Sequence, residues 1–186
     1  MYPTEYIQFL IHFHGDYDYF ECHEILEEYW KTKPRGDRDN YLVGLIQIAV
    51  SLYHQRRSNW NGAEKMMKSA ITILEKNSGP LLRLGINQTQ LLFLLKDRLQ
   101  SIQKEEGFTP LFLPLSDTAL EKRCLELCQK QNLPWKDVNA TSNEFIIHKH
   151  TLRDRTEVIA ERNEQLQKKA EIINYLSLLL RMYILF

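Results

Sequence analysis

The run YLVGLIQIAVSLYH, Tyr41 to His54, is apolar at nearly every position and constrains the fold more than any other feature of the chain. A helix that is apolar all round must be buried between neighbours. A parallel-sheet strand can also be apolar throughout, yet strands rarely exceed about ten residues, so length predicts a central helix from about Asp39 to Arg57.

Four helices are expected before residue 108. Asp18 and Glu21 can cap one that runs to Trp30, with Phe20, His23, Glu27 or Leu26 and Trp30 on one face and Pro34 with Gly36 ending it. The central helix follows. Asn61 and Glu64 open a third that carries Ala63, Met67, Ala70 and Leu74 and stops at Gly79 and Pro80, and Asn87 opens a fourth that ends at Gly107. Beyond it, Phe108 to Leu115 reads as extended, and Ser116 or Asp117 caps a helix with Leu120, Cys124, Leu127 and Cys128. Glu144 to His150 alternates apolar and polar residues, which predicts a strand paired with 111–115. Thr151 and Asp154 can cap a last helix through Val158, Leu166 and Leu180. The expected fold is mainly α: a helical bundle with a short two-stranded β pair in the C-terminal region, divided into a core domain, 1–107, and a helical extension, 108–186.

The chain has 186 residues, with 24 Lys plus Arg against 24 Asp plus Glu. That balance removes the overall positive field on which non-specific nucleic-acid binding depends. Three cysteines cannot all pair within one chain, and the first residues lack the positive and apolar regions of a secretory signal, so a reduced cytoplasmic setting is expected. The apolar stretch from Ala170 to Phe186 is broken by Asn174 and Arg181 and falls short of the ~20 residues of a membrane span.

The turn near Pro34 to Gly36 makes the first two of these helices antiparallel neighbours, so facing positions should sum to about 70. His23 then lies near Gln47, Glu27 near Gly44 and His54 near Tyr17, with Gly44 allowing close approach. The polar set His23, Glu24, Glu27, Glu28, Gln47 and His54 thus gathers in or beside one seam. Buried polar groups must find hydrogen bonds, so one reading is a structural network that fixes register. The other is chemical: His23 and Glu27, four apart on a helix, can ligate one ion, although no HExxH pair completes a shell.

The strings DYFECHEILEEYW, YLVGLIQIAVSLYH and NWNGAEKMMKSAITILE, in this order and spacing, resemble the helical family called domain of unknown function three hundred and nine. The likeness covers Tyr17 to about Glu75. The positions that carry it are His23, Glu24, Glu28 and Trp30, then Gly44, Leu45, Ile46, Gln47, Ala49 and His54, then Gly62 and Ala63. The resemblance implies an all-helical core in which Trp30, Gly44, Gly62 and Ala63 serve packing, and it implies no activity and no catalytic residue.

Three other groups carry chemistry. His148, Lys149, His150, Arg153 and Arg155 cluster at a predicted helix start, where an anion is favoured, although Asp154 and Glu157 interrupt the charge. Cys124 and Cys128 share a helical face and suit either a metal or a core. Asp16, Asp18, Glu21, Glu24, Glu27 and Glu28 form an acidic run open to a cation or a basic partner. The functional expectation is an interaction or scaffold module that binds a protein partner or itself, the alternative being a metal-dependent hydrolase built on His23, Glu24, Glu28 and His54. No cofactor is assigned beyond the divalent metal that this alternative uses.

Overall fold

The computed structural model describes residues 1–139, 143–149 and 167, and Met1–Lys149 form one compact unit. The predicted helix from Thr151, the apolar C-terminal stretch, and His150, Arg153 and Arg155 of the basic group lie outside the described residues.

Eight α-helices follow one another there: α1 (Thr4–His14), α2 (Tyr19–Lys31), α3 (Asn40–Arg56), α4 (Trp60–Glu75), α5 (Ser78–Arg83), α6 (Gln88–Gln103), α7 (Thr118–Lys130) and α8 (Glu144–Ile147), with a 3-10 turn at Arg35–Asp37. α3 is central, as its composition requires: it packs on α2 and α4, and 10 of its 17 residues are buried. α6 covers α4, and α1 lies between α2 and α7.

The caps are chemical. Asp18 accepts from the Glu21 amide at 2.9 Å, Asn87 from Gln90 at 3.1 Å, and Asp117 from Ala119 and Leu120. Each satisfies amides that the first helical turn leaves without a partner. α4 begins earlier than expected, because Asn59 rather than Asn61 is its cap and accepts from the Gly62 amide at 3.1 Å. Gly79 and Pro80 do not follow that helix as terminators. They lie inside the short α5.

α1 has no counterpart in the sequence reading. Seven of its 11 residues are buried, including Leu10 and the aromatic Tyr6, Phe9 and Phe13, whose rings run along the core from Tyr2 to Tyr19. Each such side chain removed from water contributes about 1.5 to 3 kcal/mol. Its N-cap is Pro3, which has no side-chain oxygen to announce a helix.

The predicted β pair is absent among the described residues. Residues 144–147 form α8, because the Asn143 side chain accepts from the amides of Phe145 and Ile146 and so starts a helical turn. The extended 111–115 segment instead meets the chain after α5. Leu115 forms an isolated antiparallel bridge with Ile86, Asn87 donates to Pro114 at 2.9 Å, and Ser116 donates to Gly85 at 2.7 Å. Gly85 makes this corner at φ +69°, a left-handed conformation that glycine adopts without strain. Cys22, Cys124 and Cys128 are free and buried as core residues, and burial pushes the Cys124 and Cys128 thiols up to about 12 and about 11.

Candidate metal centre

α2 sends Tyr19, Cys22 and Leu26 into the core, and this fixes the rest of its surface. His23 sits one step around from that buried stripe, so its ring stands on the flank of the helix beside Phe20 at 6.1 Å and keeps 27% of its side chain exposed. Glu24 and Glu27 reach it from either side. Nδ1 lies 3.3 Å from the Glu24 carboxylate and Nε2 lies 2.9 Å from that of Glu27, at i, i+4. The other Glu27 oxygen takes the Lys31 ammonium at 2.8 Å. Burial raises the Glu27 carboxyl, but the Lys31 hydrogen bond and the His23 and Lys31 charges outweigh it and hold the group below its ordinary value.

One donor atom from each of His23, Glu24 and Glu27 lies within 4.8 Å of the others. Neighbouring donors on a tetrahedral zinc-like ion stand about 3.4 Å apart, and one ion takes only one of the two ring nitrogens, so side-chain rotation has to bring the second carboxylate round to that nitrogen. Imidazole with carboxylates suits a first-row divalent ion.

The structure separates the rest of the predicted polar set. Phe20 meets Tyr53, with ring centroids 6.0 Å apart, and Arg56 donates to the Tyr17 carbonyl at 2.9 Å, so facing positions of α2 and α3 sum to 73 rather than 70. The shift arises in residues 32–39, where the 3-10 turn, the Lys33–Asp39 ion pair and Arg38 stacked on Trp30 at 4.4 Å take up chain. His23 and Gln47 therefore make no hydrogen bond, and the Gln47 Oε1 atom is buried without a partner among the described residues. His54 bonds Asn59 across the α3–α4 turn at 3.0 Å, and burial, then the Arg57 charge, lowers its pKa. Glu28 is exposed and faces the groove between α1 and α2.

The motif's small residues serve α4, not α2. A Cβ on Gly44 would lie 2.6 Å from Leu74 Cδ2, so the close approach that this glycine permits is between α3 and α4. Ala63 is fully buried and its carbonyl accepts the Ser51 hydroxyl at 2.7 Å, while Gly62 lies under its capping residue Asn59. Trp30 packs on the core beneath Arg38.

Of the basic group, His148 lies 3.5 Å from the Glu144 carboxylate, and the Lys149 ammonium lies 2.6 Å from both Asp18 and Glu21. Lys149 belongs to a knot that the sequence does not announce. Arg56, largely buried, donates to the Tyr17 and Ile146 carbonyls and lies over the Tyr19 ring at 5.2 Å. Tyr17 itself holds φ +56°, a strained value for an aromatic residue. Arg98 is a second buried cation, bonded to Gln55 and to the carbonyls of Thr109 and Pro110. Aspartate and arginine in such places read in sequence as solvated helix ends, and no local spacing distinguishes them.

Comparison with known proteins places the geometry in a wider group. The family described as Domain of unknown function (DUF309) matches residues 6–66, which span α1, α2, α3 and the first turns of α4. The chain is similar to "Uncharacterized protein YpuF" of Bacillus subtilis (strain 168), 44% identical over 169 residues that cover 91% of this chain and 97% of the relative. No solved structure matches. With His23, Glu24 and Glu27 inside the matched segment and the likeness to the relative running nearly end to end, the chain belongs to the family described as Domain of unknown function (DUF309).

Proposed function

We propose that the protein is a helical module that binds a divalent transition-metal ion on α2, through His23, Glu24 and Glu27. The observation that carries this reading is the convergence of one imidazole and two carboxylates from one helix to within 4.8 Å, on a partly exposed face. Lys31, already on the outer oxygen of Glu27, would hold that carboxylate in place from behind the ion. The outward side faces water, so a bound ion keeps open positions for water, an arrangement that metal-dependent hydrolysis uses. His54 and Glu28, which the sequence grouped with these ligands, are not part of the set.

The test is calorimetric titration of chelator-stripped protein with Zn²⁺ and Mn²⁺. One ion is expected to bind, and His23→Ala or Glu27→Gln should weaken it at least about tenfold, since each removes one of three donors. At free metal about a hundred times the dissociation constant, the ion should stabilise the wild type by about 2.7 kcal/mol. No saturable binding, or equal binding by His23→Ala, refutes the reading.

A docking role is a second reading, favoured by Phe93, which is 73% exposed beside an apolar cavity of about 460 Å³ that Leu94 and Pro114 also line. The occupant in this reading is a second copy of the chain, against which a net charge of zero sets no repulsion. Concentration-dependent sedimentation that Phe93→Ser abolishes supports it. A monomer at every concentration removes it.

A further inference from the structure

Glu28 is a motif position that the metal reading leaves unused. It stands about 140° around α2 from His23, and with Thr4, Glu5, Gln8, Ile25 and Tyr29 it lines a groove of about 340 Å³ between α1 and α2. Among the described residues, neither Glu5 nor Glu28 makes an ion pair, whereas Glu21, Glu24 and Glu27 of α2 each have one. Two carboxylates without an ion-pair partner among the described residues therefore share a concave surface whose other walls are an aromatic ring, an aliphatic side chain, an amide and the hydroxyls of Thr4 and Thr32.

That chemistry selects its occupant. A guanidinium can bridge carboxylates with parallel N–H donors and lie against an aromatic face, and its propyl stem covers apolar carbon. Lysine, a strongly hydrated point charge, uses only part of such a surface. A volume at the lower end of the range for ligand sites fits one long side chain better than a folded cofactor. The geometry points to the α1–α2 groove as a docking site for an arginine side chain presented by a partner protein, with Glu5 and Glu28 as its acceptors and Tyr29 as the wall it stacks on. No residue is shared with the metal set, so either assignment can fail alone.

The experiment is a backbone-amide NMR titration of the full chain, stripped of metal by chelator, with a Gly-Ser peptide that carries arginine and with its counterpart in which neutral citrulline replaces each arginine. The arginine peptide should shift amides of residues 4–8 and 25–32, and the citrulline peptide should not. Glu5→Gln combined with Glu28→Gln should weaken binding about tenfold or more, the loss expected for charge-assisted bonds, while Glu24→Gln with Glu27→Gln should change it less than about twofold. All four positions are solvent-exposed or partly so, and the unchanged dispersion of remaining amides reports an intact fold. Equal binding of the citrulline peptide, shifts centred elsewhere, or an equal loss from the Glu24 and Glu27 pair overturns the assignment.

Discussion

His14 offers the sharpest quantitative prediction. It is the last residue of α1, fully buried, with its ring centroid 5.3 Å from Phe13, 6.1 Å from Phe112 and 5.0 Å from Trp135. Neither ring nitrogen has a hydrogen-bond partner among the described residues. Burial, then the Lys136 charge, lowers its pKa from 6.5 to about 3. Between those values the unfolded chain holds a proton at this position that the folded chain does not, so stability rises with pH through the window and is lost as pH falls below 6.5. From pH 7 to pH 5 the loss due to this group is about 2 kcal/mol, and it barely changes if the folded value is displaced by one unit, because pH 5 lies above it in either case. Urea unfolding of wild type and His14→Phe at pH 7, 6 and 5, followed by far-ultraviolet circular dichroism, isolates the effect. The variant's absolute stability depends on how its larger ring packs, but the difference between the two proteins should shift by about 2 kcal/mol in the variant's favour on acidification. A difference that stays constant within about 0.5 kcal/mol would show that the imidazole ionises as readily folded as unfolded, and would refute the reasoning.

Other substitutions probe the packing and the knot. Gly44→Ala gains about 1 kcal/mol of helix propensity but drives Cβ onto Leu74 Cδ2 and Cγ, at 2.6 and 2.7 Å. Overpacking of about 1 to 3 kcal/mol should prevail, so the thermal midpoint falls. Asn59→Ala removes the α4 cap and the partner of the His54 Nδ1 atom, and should cost about 1 kcal/mol in denaturant unfolding. Lys149→Met leaves the buried Asp18 carboxylate without its cation. Because the lysine is partly exposed, the change should lower stability by about 1 kcal/mol and flatten the dependence of stability on sodium chloride, which screens the wild-type pair.

Where a side chain speaks locally, the sequence is readable. Asp18, Asn87 and Asp117 announce their helices because a capping oxygen and the amides it serves are at most three residues apart. The His23–Glu27 pair is legible for the same reason, since helical geometry alone brings i and i+4 together. α1 escapes detection because Pro3 offers no capping signal and because a short run that is apolar on most sides has little periodicity to measure. The strand expected at 144–150 rested on alternation over four residues, too few to outweigh the Asn143 cap. Register between helices is the least legible property. It depends on how residues 32–39 fold, and a shift of three positions slides α3 about 4.5 Å along α2, enough to part His23 from Gln47. Arg56 and Lys149 act across 39 and 131 residues of chain, a range over which no local pattern extends.

Manganese provides the most direct measurement of the metal assignment, because its unpaired electrons broaden nearby resonances steeply with distance. Added below stoichiometry to labelled protein, Mn²⁺ should first bleach the amides and side chains around His23, Glu24 and Glu27, leaving those of α6, which packs on α4 rather than on α2, until much more ion is present, and His23→Ala should abolish the pattern. Broadening that begins at any other group of residues, or that survives in His23→Ala, contradicts the account.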